Sequence, residues 1–207
     1  IFCPGYDLSL MAKQDRNLIK QYFYALKRNE YLMHSSKKPI LAALNGSVIA
    51  GGVLLVLRCD YRIMSDDCFL SMNEVRNAIK LRRGGSTLDY IQSVVGSQHR
   101  LNYIFQTGTN IHAEKAKEFG LVDEIVEKRN MKSLLDRSVA VLENDYFPAD
   151  REAAALVRSV IREEMIKSSK EYAEEEADLY ADTFLAPKVQ SAIQKLFNKK
   201  KKKQAKL

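Results

Sequence analysis

One acidic residue, Glu74, closes the run Phe69-Leu70-Ser71-Met72-Asn73-Glu74. A carboxyl delivered by an apolar strand into poorly hydrated surroundings has its pKa raised, so it can take up and return a proton near neutral pH. A second feature is the pair Gly51-Gly52, which opens the apolar run Val53-Leu54-Leu55-Val56-Leu57. Glycine there lets another group approach the backbone closely. A third is Phe2-Cys3-Pro4-Gly5-Tyr6-Asp7-Leu8, an apolar stretch ending in a Pro-Gly turn. Taken singly, each has a plain reading: the commonest fate of glutamate is the solvated surface, and a Gly-Gly pair is often just a tightly packed helix start. Metal chemistry is not suggested. His34, His99 and His112 lie far apart, and Cys3, Cys59 and Cys68 form no CxxC pair. Three cysteines without such spacing fit a reducing compartment rather than a disulfide framework.

The elements that must carry these residues can be read from periodicity. Residues 13–33 have Leu18, Tyr22, Phe23 and Leu26 near helical spacing. Pro39 breaks that helix, and Ile40-Leu41-Ala42-Ala43-Leu44 reads as a short buried strand before the Asn45-Gly46 turn. Residues 50–57 are apolar all round, as a buried helix is. Residues 60–64 read as a strand, with Ser65-Asp66-Asp67 as a turn. Helices are expected over 86–95, 98–106 and 112–119, with Gly120 as C-terminal stop and 121–126 as a strand. The rest is expected to be helical: 131–144, then the Ala-, Glu-, Lys- and Arg-rich stretch 149–181, then a helix over 188–198 opened by Pro187. Short strands alternating with helices, followed by an all-helical end, make an α/β domain.

The totals narrow the classes further. At 207 residues and 46% hydrophobic, one domain with a sizeable core is expected. No apolar run approaches the ~20 residues of a membrane-spanning helix. The net charge of +7 is concentrated: Lys199–Lys203 and Lys206 supply six positive charges, leaving 27 basic against 26 acidic side chains in residues 1–198. A nucleic-acid binder carries its basic patch on the folded body. Here the basicity is expected in a mobile tail.

The order and spacing of the motifs resemble the crotonase (enoyl-CoA hydratase/isomerase) superfamily. The matching pieces are Phe2–Leu8, Lys38-Pro39-Ile40 through Asn45-Gly46, Ala50-Gly51-Gly52, Cys59-Asp60, Glu74, Ile111–Ala116 and Gly120-Leu121-Val122-Asp123. The resemblance implies a crotonase (ClpP/crotonase-like) spiral of ββα units with a helical C-terminal region. It implies a core over 1–126, a helical oligomerisation region over 127–198, and a basic tail over 199–207 with a targeting-like end. The family's strands before the first motif are absent from this sequence. With its Ile-Phe-Cys-Pro-Gly opening, the chain is expected to be truncated or processed, and its spiral incomplete.

In such proteins two backbone N–H groups bind a thioester oxygen; here they would belong to Tyr6 and Gly51. Removing a proton beside a thioester collects charge on that oxygen, and each preorganised donor there can be worth ~10²–10³ in rate. The N-terminal end of the helix dipole would add to this at Gly51. Backbone from Pro4 through Asp7 to Leu8 would line the CoA adenine. Pro4 departs from the family's usual small residue. The helix position that holds the first glutamate of a hydratase corresponds to Leu54, and the second corresponds to Glu74. Adding water needs two proton-handling groups, whereas moving a double bond needs one. The pattern therefore resembles peroxisomal 3,2-enoyl-CoA isomerases, with Glu74 as both base and acid. A dienoyl-CoA isomerase is disfavoured because Leu54 leaves its additional acid position empty.

The resemblance implies an acyl-CoA substrate, no metal or separate cofactor, and a homo-oligomer, a trimer or dimer of trimers. Arg82-Arg83-Gly84-Gly85 and Lys195 could meet CoA phosphates, a solvated loop being as good a reading of the first. Asp60, Asp66 and Asp67 read as caps and turns, and Tyr90 and Tyr103 as helix packing. The ending Ala205-Lys206-Leu207 is a variant of the Ser-Lys-Leu address read by a peroxisomal import receptor. The expected location is the peroxisome, with the mitochondrion as alternative. Two other readings stay open: a catalytically silent homologue serving as a structural subunit, and another single-carboxylate acyl-CoA enzyme such as a thioester hydrolase.

Overall fold

A computed structural model describes residues 1–79, 86–127 and 131–204. Two three-stranded sheets organise the first half. One has the order β1-β3-β6, all parallel, from β1 (Leu41–Leu44), β3 (Tyr61–Ser65) and β6 (Glu124–Val126). The other has the order β2-β4-β5, from β2 (Val48–Ile49), β4 (Phe69–Ser71) and β5 (Asn110–His112), with β2 parallel and β5 antiparallel to β4. Parallel neighbours require a crossover, and α3 (Gly51–Leu57) provides the one between β1 and β3. Its sequence is apolar throughout because it is buried on nearly every side. The principal core joins both sheets to α3, α4 (Ser86–Val95), α5 (Gln98–Thr107) and α6 (Ala113–Glu118).

A second core brings the two ends of the chain together. The short α1 (Leu8–Met11), capped by the Asp7 carboxylate, contributes Met11 to it. The long α2 (Arg16–His34) is capped by Asp15, whose side chain accepts from Leu18 N–H. Its buried stripe is Ile19, Phe23, Lys27, Glu30 and His34. The helical period expected from the sequence is present, but the second half of the inward face is charged. The apolar half packs on α10 (Ala173–Leu185) and α11 (Pro187–Gln204), through Ala177, Ala181, Phe184, Val189 and Ile193. Phe23 stacks on Tyr180 with centroids 4.6 Å apart.

After β6 the chain forms α7 (Met131–Val141), a π-helical turn (Leu142–Tyr146), α8 (Arg151–Ile161) and α9 (Glu163–Glu171). Helix α7 covers Ile63 of β3 with Leu134 and Val141. Asp60 anchors α8. It accepts from Ile40 N–H (2.7 Å), Arg158 Nε (3.1 Å) and Arg162 Nη2 (2.7 Å). Arg158 also donates to the carbonyls of Met33, His34 and Ser36, satisfying the open C-terminal end of α2.

The architecture is the mixed α/β fold with helical C-terminal region that the motifs imply. Several boundaries differ. The expected strand 121–126 begins only at Glu124, because Leu121 and Val122 are buried in the loop that follows the left-handed Gly120. The 112–119 helix starts at Ala113, since His112 closes β5. The stretch 149–181 is three helices, broken at Arg162 and Tyr172. The helix expected to end at 198 continues to Gln204, so Lys199–Lys203 lie on helical backbone. Among the described residues no helix is long and apolar enough to cross a membrane.

Candidate active site

Three segments converge beside the N-terminal end of α3. The opening loop is joined to β2 by a parallel bridge between Cys3 and Val48, with Phe2 N–H donating to Ser47 O and Ile49 N–H to Cys3 O. Gly5 has φ +92°, and a Cβ there would stand 2.9 Å from Ile49 O and 3.3 Å from Gly51 N. Only glycine lets the loop lie this close to the turn. Ala50 holds a strained backbone (φ 52°, ψ −126°) while donating its N–H to Ser71 O at 2.7 Å. That bond ties the turn to the end of β4, three residues before Glu74. Loop, turn and strand end are thus locked together.

Glu74 heads a 3-10 turn (Glu74–Asn77) and is 3% exposed. Neither carboxylate oxygen has a hydrogen-bond partner among the described residues. Burial pushes its pKa up to about 7. A buried carboxyl with no partner is costly to keep charged, which is what raises its proton affinity. Tyr6 and Tyr180 both lie close enough for the charge of Glu74 to be felt at their phenols. Leu54, one turn into α3, is buried and lines the neighbouring cavity.

Tyr6 is packed among aromatic rings. Phe23 meets it edge-on at 5.1 Å, with Phe184, Tyr22 and Tyr180 further out. Its ring stands against the Cα of Gly51. The N–H groups of Tyr6 and Gly51 donate to no acceptor among the described residues, and that of Gly51 belongs to the open first turn of α3. Of the other residues singled out, Asp7 turns its carboxylate onto Ser9 and Leu10 N–H as a cap, while its own N–H donates to Tyr22 Oη. Pro4 is exposed, and Leu8 packs on the second core. Lys195 is exposed on α11, which itself contacts the Glu74–Asn77 turn. Arg82-Arg83-Gly84-Gly85 and Ala205-Lys206-Leu207 lie outside the described residues.

A cavity of about 170 Å³ adjoins Tyr6, Gly51 and Leu54. Lys27, Glu30 and Arg58 also line it, and sequence reading did not single them out. Arg58 Nη2 meets Glu30 Oε1 at 2.5 Å, Lys27 Nζ meets Glu30 Oε2 at 2.9 Å, and Lys27 also pairs with Glu176. Burial alone would raise the Glu30 carboxyl, but Arg58 and Lys27 outweigh it and hold it at about 2. The available signal was the placement of Lys27 and Glu30, four and seven residues beyond Phe23 on the same helical face. A larger hollow of about 900 Å³ lies between residues 35–39 and 142–159, and contains none of Tyr6, Gly51 or Glu74. Among the described residues no group of three or more His, Cys, Asp or Glu side chains is placed to hold a metal ion.

The buried Glu74 carboxyl, the turn at Ala50-Gly51 and the opening loop with Tyr6 are thus carried by one mixed α/β scaffold. A family model described as enoyl-CoA hydratase/isomerase matches residues 1–205, and the chain belongs to that family. It is 33% identical over 138 residues to the peroxisomal Delta(3,5)-Delta(2,4)-dienoyl-CoA isomerase of Arabidopsis thaliana, covering 67% of this chain and 46% of that protein. It is 29% identical over 128 residues to the mitochondrial Delta(3,5)-Delta(2,4)-dienoyl-CoA isomerase of Rattus norvegicus, covering 62% of this chain and 37% of that one. The chain thus spans about half the length, or less, of these curated relatives. Among solved structures, human mitochondrial delta3-delta2-enoyl-CoA isomerase superposes with a TM-score of 0.84 at 19% identity, over 96% of this chain and 75% of that one. An enoyl-CoA hydratase from Bacillus halodurans gives 0.78 at 20% identity, over 92% and 75%. These likenesses establish the shared fold. The chain belongs to the crotonase superfamily, and isomerases are among its relatives.

Proposed function

We propose that this protein moves the double bond of a 3-enoyl-CoA to the 2-position, with Glu74 carrying the proton. The carboxylate takes a proton from C2, and the negative charge passes to the thioester oxygen. The N–H groups of Tyr6 and Gly51 stabilise that oxygen as charge develops. The carboxylic acid then returns its proton to C4. The same group serves as base and acid, so one carboxyl with a pKa near the working pH is sufficient. Pro4, Asp7 and Leu8 supply backbone along the CoA adenine. A proton shuttle of this kind calls for no separate cofactor, CoA being part of the substrate.

The observation that carries the reading is the pairing of Glu74 with Leu54. Glu74 is buried, neither oxygen has a partner among the described residues, burial raises its pKa to about 7, and the α3 position that would hold a second carboxylate is leucine. Leucine cannot activate water, which argues against hydration. It also argues against the dienoyl reaction named for the relatives, if that reaction uses a second acid at this place. A catalytically silent subunit and a thioester hydrolase are the rivals. The deciding test follows 3-hexenoyl-CoA by ultraviolet absorbance, with 3,5-dienoyl-CoA, 2-enoyl-CoA and free-CoA release assayed in parallel. Conjugated 2-enoyl product without hydration or CoA release supports the isomerase. Binding without turnover supports the silent subunit instead.

We further propose a homo-oligomer, trimeric or a dimer of trimers. Its support is the exposed apolar surface of α7 and α8, at Leu135, Val139, Leu156, Val157, Val160 and Ile161. Peroxisomal import through a receptor for Ala205-Lys206-Leu207 is part of the same proposal. Relatives named as peroxisomal and as mitochondrial both occur, so either place is open to the family.

A further inference from the structure

Neither carboxylate oxygen of Glu74 has a hydrogen-bond partner among the described residues, so the side chain is aimed by its backbone and by packing. Whatever fixes the Glu74–Asn77 turn therefore fixes the carboxyl. Upstream, Ala50 N–H ties the turn to the end of β4 through Ser71 O. Downstream, the chain leaves through Ala78 in the left-handed region (φ 58°), and Ile79 N–H donates to Glu74 O at 3.0 Å. A residue with a Cβ is strained there and persists only where its surroundings hold it. Ile79 then packs on the second core.

Sideways, the turn is fastened to the end of α5. Arg76 Nε donates to Thr107 O at 2.9 Å. That carbonyl belongs to the last turn of α5, where intrahelical donors run out and positive charge is favoured. The next residue, Gly108, is left-handed (φ +56°), and a Cβ there would stand 3.1 Å from Val75 Cγ2 and 3.3 Å from Asn73 Cα. The helix end thus lies directly against the turn. Burial is what raises the Glu74 carboxyl, and no charged side chain is among the causes, so Arg76 does not act on it through charge. Building on the reading of Glu74 as proton carrier, we propose that Arg76 is a positioning residue for it. The bond to Thr107, made where Gly108 lets the two backbones meet, keeps the turn in the place that buries and aims the carboxyl.

The ionisation of Glu74 reports its placement without any turnover. Glutamate labelled with a carbon isotope at the carboxyl is incorporated into the whole chain, and the Glu74 resonance, assigned by its loss in Glu74→Gln, is titrated by NMR. The phenols of Tyr6 and Tyr180 feel the Glu74 charge, but burial raises both, so they stay protonated throughout. The wild-type midpoint is expected at about 7. In Arg76→Ala the turn is released and water reaches the carboxyl, so the midpoint should fall by about one unit, a roughly tenfold change in proton affinity. Loss of a neighbouring positive charge would move it the other way. Arg76→Gln keeps an N–H on the atom after Cδ without the charge, and should restore the wild-type midpoint. Turnover of 3-hexenoyl-CoA should follow the same order, with kcat down about tenfold in Arg76→Ala and KM little changed. Should Arg76→Ala fail to fold, Gly108→Ala, which crowds Val75 and strains its own backbone, is expected to lower the midpoint instead. An unmoved or raised midpoint in the variant that folds, or a fall in Arg76→Gln as large as in Arg76→Ala, overturns the proposal. The expected titrations without wild-type turnover support the positioning and overturn the isomerase reading alone. A wild-type midpoint near 4.5 overturns both.

Discussion

The ring of Tyr6 occupies the space into which a side chain at residue 51 would project: a Cβ on Gly51 would fall 2.7 Å from both Cδ1 and Cζ of that ring. The ring cannot move aside freely, being held by Phe23, Phe184 and Tyr180. Gly51→Ala is therefore expected to displace Tyr6 and with it the relation of the two N–H donors. A misplacement of about 1 Å can cost ~10²-fold in turnover. Overpacking of this kind should also lower stability by about 1–3 kcal/mol. Steady-state kinetics with 3-hexenoyl-CoA and urea unfolding of the same variant check the two parts separately.

Glu74→Gln removes the proton carrier while keeping the shape of the side chain. Turnover should fall ~10²–10⁴-fold, the usual share of a general base, with acyl-CoA affinity little changed. Near-normal turnover in this variant would remove Glu74 from the mechanism.

The pKa of about 7 for Glu74 fixes the direction of the pH profile. The base must be ionised, so kcat/KM of the isomerisation should rise with pH through about 7 and level off above it. A profile already flat from pH 5 upward would contradict a buried, unpaired base.

The same group ties stability to pH with an unusual sign. Its folded pKa is raised above the unfolded value of 4.5, so its favourable contribution is present below 4.5 and lost as pH rises through about 7. Glu74→Gln does not titrate. Its stability relative to wild type should therefore improve by roughly 3 kcal/mol between pH 4.5 and pH 8. Denaturant unfolding at the two pH values measures the difference.

Asp60→Ala is a prediction for the scaffold. It leaves Arg158 and Arg162 without their shared carboxylate in a largely buried setting. Loss of one partner of a buried ion pair typically costs about 3–5 kcal/mol. Melting by circular dichroism should show a fall in Tm on the order of 10 °C.

Much of the fold was legible because it rests on local signals. The all-apolar run after Gly51-Gly52 reads as a buried helix, and the Pro39 and Asn45-Gly46 breakers bound a strand between them. The strands β2 and β5 escaped notice: each is two or three residues long and has no period to read. The role of Asp60 was hidden for another reason. Read as a cap, it is a clasp whose arginine partners lie 98 and 102 residues away in sequence. Lys27 and Glu30 look like ordinary solvent-facing helix residues until α10 and Arg58 close over them. Their position on the helical face of Phe23 was the one local mark of that burial. Glu74, by contrast, was singled out by the resemblance of the surrounding motifs to the crotonase superfamily; taken alone, it reads equally well as a solvated surface glutamate.

The stacking of Phe23 on Tyr180, and the bond from Arg16 to Asp182 across 166 positions, bear on how the molecule comes to exist. The wall around Tyr6 cannot be finished until α10 has been synthesised and has found α2. Closing so long a loop is entropically expensive and slow compared with forming the βαβ unit around α3. During synthesis, the apolar half of α2 therefore waits uncovered while most of the chain emerges. The nascent protein is exposed to aggregation through this face for longer than through any part of the first core.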